Sequence, residues 1–207
     1  MDDTLSTDEK RDLLRLARGA LEAAVRGNEL PPVDRSALPA ALARRSSCFV
    51  TLTMGGRLRG CIGGLAAERP LYEDVQLRAA QAGLRDYRFS PVRRDELAGI
   101  EIEVSVLTTP TPMSNTSPDD LAARLRPGVD GVVLQQGGRK ATFLPQVWEH
   151  APEPERFLGM LCEKLGLPAG AWRKLPLEVL TYQVSMMTEA EFDLAPARDD
   201  PALGPTR

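Results

Sequence analysis

The sequence predicts an α+β protein made of two tightly packed α/β subdomains with a cleft between them. Two Gly-Gly pairs, at residues 55–56 and 137–138, each separate two short segments of strand character and so predict two antiparallel hairpins. Segments with helical spacing of apolar residues precede and follow both hairpins. The stretch 108–118 is rich in Thr, Pro, Ser and Asn, which predicts an exposed loop at the boundary between the halves.

The length of the chain fits one domain in two halves. With 207 residues, of which 43% are hydrophobic, the chain can bury one good core. We predict a single domain over residues 1–194, with subdomains of approximately 1–112 and 113–194 that could exchange strands. The tail at residues 195–207 has little to bury, so we expect it to be disordered.

Composition argues against several classes of protein. No run of about 18 uncharged apolar residues is present, and the first residues lack the basic and apolar parts of a secretory signal, so we expect a cytoplasmic protein that does not enter membranes. Three widely spaced cysteines, one histidine and no CxxC pair favour neither a disulfide framework nor a zinc or iron–sulfur site, and we predict no cofactor. A net charge of −3 argues against binding nucleic acid through bulk electrostatics.

The first half is predicted to contain three helices and three strands. Ser6 and Glu9 have the spacing of a capping box, and Gly27 ends the long amphipathic helix that follows. Pro70 is a plausible first residue of the third helix. In chain order the predicted elements are helix 6–27, a short helix at 36–43, strands 47–54 and 57–63, helix 70–85 and strand 99–107.

The second half is predicted to repeat part of this layout. Ser117 caps a short helix with Pro118 at its first position. A short helix, a strand, a Gly-Gly-Arg turn and a second strand occur in both halves, which indicates an internal duplication unless the hairpin turns are alike by chance. The predicted elements are helix 117–125, strands 131–136 and 139–144, a helix through 157–165 and a last strand at 177–186.

The stretch 57–64, RLRGCIGG, concentrates unusual chemistry, with two arginines, a thiol and three glycines in the second strand of the first hairpin. A three-residue turn would place Val50 opposite Ile62 and put Arg59 and Cys61 together on the other face, whereas a two-residue turn would put both on the face of Val50. We favour the first register because each face is then chemically uniform. The glycines beside Cys61 allow close approach by a ligand, or by a neighbouring strand or helix.

Several segments together resemble the AMMECR domain family, which is protein A of the AmmeMemoRadiSam system. The resemblance covers about residues 8 to 192, and Tyr87 stands where the family typically has proline, so the turn around it is less rigid. The segments are LRGCIG at 58–63, DYRF at 86–89 (DPRF in the family), the strand at 101–107 that ends in EVSVL, LPQVWE at 144–149, and the stretch from Phe157 to Trp172.

The resemblance implies a compact α/β protein in two subdomains, often encoded beside a Memo-type protein and a radical SAM protein. It implies no established reaction. The Memo-type and radical SAM proteins are therefore the expected partners, and the oligomeric state is left open.

Two residues are candidates for catalysis. Cys61 could be a nucleophile, because a thiolate is the strongest nucleophile available near neutral pH and neighbouring arginines favour it. The alternative is a small buried hydrophobic residue. Glu103, on the polar face of the strand at 99–107 together with Glu101, could move a proton, although most such carboxylates are solvated or paired.

Five residues are candidates for binding a small anionic ligand. Arg59 leads them, because a guanidinium offers a planar fork of donors to a carboxylate or phosphate. Its alternative role is a salt bridge with Glu101 or Glu103. The other four are Gly60, Gly63, Arg88 and Gln146.

Three functions follow from these residues. The first is a substrate-handling or enzymatic subunit that binds a small anionic ligand at the LRGCIG strand and acts with the Memo-type and radical SAM partners. The second is a non-catalytic module that binds a partner protein. The third is nucleic-acid binding through the basic run Arg85, Arg88, Arg93 and Arg94, which is interleaved with Tyr87 and Phe89, although such a run is more often a solvated face.

Overall fold

The computed structural model describes residues 5–114 and 117–194, so the tail predicted to be disordered lies outside the described residues. The chain divides into two compact units. The first contains the described residues up to Val106 together with those from Ser185 onward, and the second runs from Leu107 to Val184. Helices and two antiparallel sheets make up the described residues, which confirms the α+β class. In the described residues, no helix is both long enough and apolar enough to span a membrane.

The described part of the chain contains α-helices, short 3-10 helices and strands. The α-helices are α1 (Thr7–Arg26), α2 (Ala40–Ala43), α3 (Leu71–Leu84), α4 (Pro118–Arg124) and α5 (Pro154–Lys164). The strands are β1 (Ser47–Met54), β2 (Arg57–Gly63), β3 (Ile100–Leu107), β4 (Thr111–Pro112), β5 (Gly131–Gln136), β6 (Arg139–Phe143), β7 (Glu178–Tyr182) and β8 (Val184–Thr188). The 3-10 helices are Arg94–Gly99, Pro145–Glu149, Ala169–Arg173 and Ala190–Phe192.

The first unit packs α1 and α3 on one face of a sheet with the strand order β2-β1-β3-β8. The capping box predicted at the start of α1 is present, since Ser6 N–H donates to Glu9 Oε2 at 2.8 Å and Glu9 N–H donates to Ser6 Oγ at 3.3 Å. Gly27 ends this helix in the left-handed region. The core under the helices is formed by Leu13, Leu14, Ala17, Leu21, Val50, Leu52, Val75, Ala79, Ile100, Ile102 and Val104.

The second unit contains a sheet with the strand order β4-β7-β5-β6 and packs α5 against it. The hairpin of β5 and β6 turns through Gly137 and Gly138, as predicted, and both have positive φ. Trp148 stacks on Phe157 with 3.7 Å between ring centroids. Trp148 Nε1 donates to the carbonyl of Asp130 at 2.7 Å, which satisfies the indole N–H inside this core.

The single strand predicted at 177–186 is wrong, because this segment forms two strands in two different sheets. β7 pairs with β5 in the second unit, where Tyr182 lies opposite Gly131. β8 begins two residues later and joins β3 in the first unit. A continuous apolar pattern cannot reveal such a change of partner, because both strands bury apolar side chains.

Three smaller differences concern element ends. The helix predicted at 36–43 is limited to α2, Ala40–Ala43. Pro70 is the residue before α3 rather than its first residue. The predicted loop 108–118 contains β4, which pairs with β7 and is continued by a hydrogen bond from Met113 N–H to the carbonyl of Val179.

Candidate functional site

The hairpin of β1 and β2 contains a bulge at Arg59. It turns through Gly55 and Gly56, whose φ angles of 57° and 75° fit the type I′ turn of two-residue hairpins. Such a turn would pair Leu52 with Arg59, but Leu52 pairs with Gly60. Arg59 is therefore an extra residue in β2, and a bulge of this kind redirects the side chain that it carries.

Beyond the bulge, the register is the one that we favoured from the sequence. Val50 lies opposite Ile62, and Thr51 lies opposite Cys61. The turn itself, however, is the two-residue alternative, and the bulge makes up the difference. Because Val50 is fully buried under the helices, Cys61 and Thr51 belong to the opposite face of the sheet.

The guanidinium of Arg59 is bound on every nitrogen. Its Nε and Nη2 donate to the two carboxylate oxygens of Glu96 at 2.9 and 3.0 Å. Its Nη1 donates to the carbonyl of Ser90 at 2.9 Å, and Nη2 also reaches that of Pro91 at 3.3 Å. The Arg59 side chain is 12% exposed. A ligand at Arg59 would therefore have to share or displace these contacts.

The salt-bridge partner of Arg59 differs from the predicted one. We expected Glu101 or Glu103 on β3, and this is wrong, because the bulge directs Arg59 toward the 3-10 helix Arg94–Gly99 that carries Glu96. The hydrogen bonds from Arg59 lower the pKa of Glu96, against the opposing effect of its burial. The pair is therefore ionised near neutral pH and ties the end of the hairpin to this helix.

The two glycines beside Cys61 accommodate the protein's own atoms. A Cβ on Gly60 would lie 2.3 Å from the carbonyl oxygen of Ala82 in α3, and a Cβ on Gly63 would lie 2.2 Å from the ring of Phe49. Both side-chain positions are thus occupied, by a helix backbone and by a neighbouring strand. Any ligand contact at these glycines would have to be made through their main-chain atoms.

A buried carboxylate holds the main chain of Cys61. Asp86 Oδ2 accepts the N–H of Cys61 at 2.8 Å. Arg88 binds the same carboxylate through Nε at 2.9 Å and Nη2 at 2.7 Å, and its Nη2 also donates to the carbonyl of Cys61 at 3.2 Å. Asp86 and Arg88 together therefore occupy both polar groups of Cys61 at the outer edge of β2.

The charge state of this pair follows from its contacts. The hydrogen bonds from the Arg88 side chain hold the pKa of Asp86 well below its ordinary value; burial opposes the shift, and the N–H of Cys61 adds to it. The same hydrogen bonds raise the pKa of Arg88. Asp86 is 4% exposed, whereas the side chain of Arg88 is 44% exposed. Within this ionised pair, the partly exposed guanidinium of Arg88 is therefore held in a fixed position at the surface beside the main chain of Cys61.

Cys61 is the most accessible of the three cysteines. Cys48 and Cys162 are fully buried, while Cys61 is half-buried. The hydroxyl of Thr51 donates to Cys61 Sγ at 3.3 Å across the hairpin, which orients the thiol on its face of the sheet. Burial raises the pKa of both Cys48 and Cys162, so neither is suited to act as a thiolate near neutral pH.

Glu103 lies on the same face of the sheet, on β3. Its neighbours Ile102 and Val104 are buried in the core under the helices, so Glu103 points to the other side. Burial raises the pKa of Glu103, the hydrogen bond from Ser105 opposes this rise, and the charge of Glu191 adds to it. Because β1 separates β2 from β3, Glu103 is two strand spacings, about 9.6 Å, from the strand of Cys61.

The remaining candidate, Gln146, belongs to the second unit. It lies in the 3-10 helix Pro145–Glu149, next to the buried Pro145 and one residue before Val147. Its role in binding a ligand stays a prediction.

Sequence reasoning did not single out Asp86 and Glu96, the carboxylates that fix Arg88 and Arg59. Asp86 carried one usable signal, because a carboxylate two residues before an arginine in a turn can form a bidentate pair with it. Glu96 carried none, because its pairing with Arg59 depends on a bulge. Among the described residues, no group of three or more His, Cys, Asp or Glu side chains is placed to hold a metal ion.

Comparison with known proteins identifies the family. The family model described as AMMECR1 matches residues 14–187. The chain belongs to the AMMECR1 family. The matched range includes the bulged strand β2, the turn with Asp86 and Arg88, and the strand with Glu103.

Individual AMMECR1-family proteins are similar over nearly their whole length. A protein of Methanothermobacter thermautotrophicus is 39% identical over 188 residues, which cover 89% of this chain and 96% of that protein. A protein of Thermococcus gammatolerans is 36% identical, with 92% and 95% covered. The crystal structure of an uncharacterized protein from Pyrococcus horikoshii has the same fold, with a TM-score of 0.80, 30% identity, and 89% and 93% of the two chains covered.

Proposed function

We propose that this AMMECR1-family chain is a substrate-handling subunit that binds a small anionic ligand at β2, beside Cys61, and acts with Memo-type and radical SAM partner proteins. The observation that carries the proposal is the half-exposed guanidinium of Arg88, which the buried carboxylate of Asp86 holds next to Cys61. The expected partners come from the family resemblance, and the ligand chemistry comes from these side chains.

Arg88 suits an anionic ligand better than Arg59. All three nitrogens of Arg59 are bound by protein atoms. Arg88 uses Nε and Nη2 for its protein contacts, and within residues 5–114 and 117–194 its Nη1 donates to no acceptor. Since the bidentate contact with Asp86 fixes the guanidinium plane, little side-chain entropy remains to be lost when an anion binds.

Cys61 and Glu103 have complementary roles in this proposal. Cys61 is the residue that attacks or holds the ligand, since the guanidinium that binds the anionic group donates to the main-chain carbonyl of Cys61. Glu103, whose pKa burial raises, supplies or removes a proton. Because the two side chains arise from strands separated by β1, they would act on a ligand that spans β1 rather than through a direct contact.

Charged and neutral alkylating reagents test the proposal. Cys61 should react with both iodoacetate and iodoacetamide, but the anionic reagent should be favoured at this site by the Arg88 cation. The rates at Cys61 are followed by mass spectrometry of the full chain. The ratio of the iodoacetate rate to the iodoacetamide rate should fall roughly tenfold in Arg88→Gln, as expected for the loss of one charge-assisted contact. Arg88→Lys should retain part of the preference, because it keeps the charge but not the fork.

The matched control is Arg93→Gln. Arg93 lies in the same loop region, but its guanidinium is 71% exposed and pairs with Asp95. The ratio should not change in this variant. A Cys61 that does not react with either reagent, or an equal fall of the ratio in Arg88→Gln and Arg93→Gln, would contradict the proposal.

A second function, that of a non-catalytic interaction module, is favoured by exposed apolar side chains near the same strand. Tyr87 is 95% exposed in the turn between Asp86 and Arg88, and Leu58 in β2 is 44% exposed. Tyr87→Ala should then abolish co-purification with a Memo-type or radical SAM partner, whereas Cys61→Ser should leave it intact. Loss of in-cell function in Cys61→Ser, with the partner still bound, would exclude a purely non-catalytic role.

Nucleic-acid binding gains less support. Two of the four arginines in the basic run, Arg88 and Arg93, pair with Asp86 and Asp95. These pairs offset the charge of two of the four arginines. A run of phosphates on a nucleic acid requires several cations, whereas a single guanidinium can bind a small anion.

A further inference from the structure

The outer edge of β2 has a main-chain donor that faces away from the sheet. Cys61 directs its N–H and carbonyl outward, to the turn at 86–88. Gly64 N–H instead points inward and donates to the carbonyl of Cys48 at 3.4 Å. Along an antiparallel strand, the main-chain N–H and carbonyl of successive residues point alternately toward the paired strand and away from it. Gly63 therefore directs its N–H outward, like Cys61.

The N–H of Gly63 is open to a ligand. Gly63 is partly exposed, and β2 is an edge strand of the sheet formed by the described residues, in which no further strand covers this side. In the part of the chain that the structure describes, this N–H has no acceptor outside the sheet. An unsatisfied N–H at a strand edge is a favourable partner for an anionic oxygen.

A second guanidinium lies at this end of β2. Arg78 Nη2 is 3.1 Å from the position that a Cβ on Gly64 would occupy. Arg78 is fixed on α3, because its Nε lies 3.2 Å from Oδ1 of the buried Asp74 and its Nη1 donates to Gln81 Oε1 at 3.3 Å. Among residues 5–114 and 117–194, no acceptor takes a hydrogen bond from its Nη2. The Arg78 side chain is 19% exposed, and its Nη2 lies near the end of β2.

We infer that the ligand of this site carries two anionic groups, one bound by Arg88 beside Cys61 and the other by the Gly63 N–H together with Arg78. The inference rests on the proposed function and narrows its ligand class. Cys61 and Gly63 are two residues apart in an extended strand, so the two groups are separated by about 6.8 Å. Carboxylates and phosphates share the oxyanion chemistry that these donors recognise.

The test compares probes with one and two anionic groups on the full chain. Adipate and its monocarboxylate counterpart hexanoate are titrated separately while amide signals are followed by heteronuclear NMR. Ethane-1,2-diyl bisphosphate, whose two phosphates are about as far apart as the carboxylates of adipate, and ethyl phosphate form the phosphate arm of the same comparison. Adipate should shift the Gly63 amide and bind about tenfold more tightly than hexanoate, because it makes one further charge-assisted contact.

Two variants of Arg78 and one control separate binding at Arg78 and Gly63 from binding at Arg88. Arg78→Gln should weaken adipate binding about tenfold, to the level of hexanoate, without changing hexanoate binding. Arg78→Lys keeps the charge that pairs with Asp74 and so guards against a loss of folding, and it should weaken adipate less. Arg69→Gln removes an exposed charge near the start of β1, where the carbonyl of Arg69 accepts the N–H of Ser46, and should change neither affinity.

The outcomes distinguish this inference from the proposed function. If the probes with one anionic group shift signals around Arg88 and Cys61, but no probe with two groups shifts the Gly63 amide, the inference of a ligand with two anionic groups is wrong and the proposed anion site survives. The two-group ligand is equally wrong if Arg78→Gln leaves adipate binding unchanged. If no probe shifts either region in the wild-type chain, both ideas fail. Should neither Arg78 variant fold, the Gly63 shift in the wild-type chain decides.

Discussion

Asp86 is a buried carboxylate with four hydrogen bonds, three from Arg88 and one from the N–H of Cys61, 25 residues earlier in the chain. This one side chain therefore sets both the direction of the Arg88 guanidinium and the position of the Cys61 main chain. The anion site depends on Asp86 even though Asp86 itself could not bind an anion.

Replacing this carboxylate should cost stability in a pH-dependent way. Asp86→Asn should lower the free energy of unfolding by about 2 kcal/mol at pH 7, because hydrogen bonds to a charged group are lost while Arg88 stays hydrated at the surface. The pKa of Asp86 is lowered in the folded state, so its contribution is fully present above the ordinary aspartate pKa of about 4 and is lost as the pH falls toward the folded value.

Urea denaturation of both chains at pH 7 and pH 3 checks this expectation. The difference in free energy of unfolding between the wild-type chain and Asp86→Asn should be smaller at pH 3 than at pH 7. Asp95→Asn is the control, since Asp95 makes an exposed pair with Arg93. If the difference between the wild-type chain and Asp86→Asn stays constant or grows at pH 3, Asp86 does not stabilise the fold as a carboxylate.

At the scale of elements, β2 is shaped by what packs on each side of it. Its hairpin and the face of Cys61 could be predicted from the Gly-Gly pair and the alternation of apolar residues. The bulge at Arg59 could not, because nothing in the local pattern distinguishes a two-residue turn with a bulge from a three-residue turn. The pairing of Arg59 with Glu96 was missed for the same reason.

Because β2 and α3 are in close contact at Gly60, adding one methyl group there should strongly destabilise the fold. Gly60→Ala should lower the free energy of unfolding by about 2 to 3 kcal/mol, because its Cβ would meet the main chain of Ala82 at 2.3 Å and a helix backbone cannot move aside. Gly99→Ala is the control, since its Cβ would lie 3.6 Å from the Met54 side chain, an ordinary contact. Equal stability of the two variants in denaturant would show that α3 is not held against Gly60.

At the scale of the whole chain, a strand from its C-terminal part completes the sheet that carries the site. β8 lies beside β3, and the buried Glu189 directly after it binds Arg18 of α1 through both carboxylate oxygens. Glu189 also accepts the N–H of Ile102 at 2.9 Å. The sequence predicted both hairpins and most helices and allowed for strands exchanged between the subdomains. It did not identify β8 as such a strand, because a pairing across 171 residues leaves no local signal.

The buried ion pair should make the return of β8 essential for stability. Glu189→Gln should lower the free energy of unfolding by about 3 to 5 kcal/mol, because it leaves the Arg18 guanidinium, 13% exposed, without its counter-ion. Hydrogen exchange should increase at the amide of Ile102. Glu191→Gln, which alters an exposed carboxylate two residues later, should change stability by no more than about 0.5 kcal/mol. Equal effects of the two variants would argue against a structural role for the pair.

The central claim is that an anion binds at Arg88 beside an accessible Cys61, and competition for Cys61 labelling by inorganic phosphate tests it most directly. With iodoacetate near neutral pH, Cys61 should be labelled while the buried Cys48 and Cys162 are not. Phosphate should slow the labelling of Cys61 in the wild-type chain, but not in Arg88→Gln. Labelling that phosphate does not slow, or slows equally in both chains, would contradict the claim.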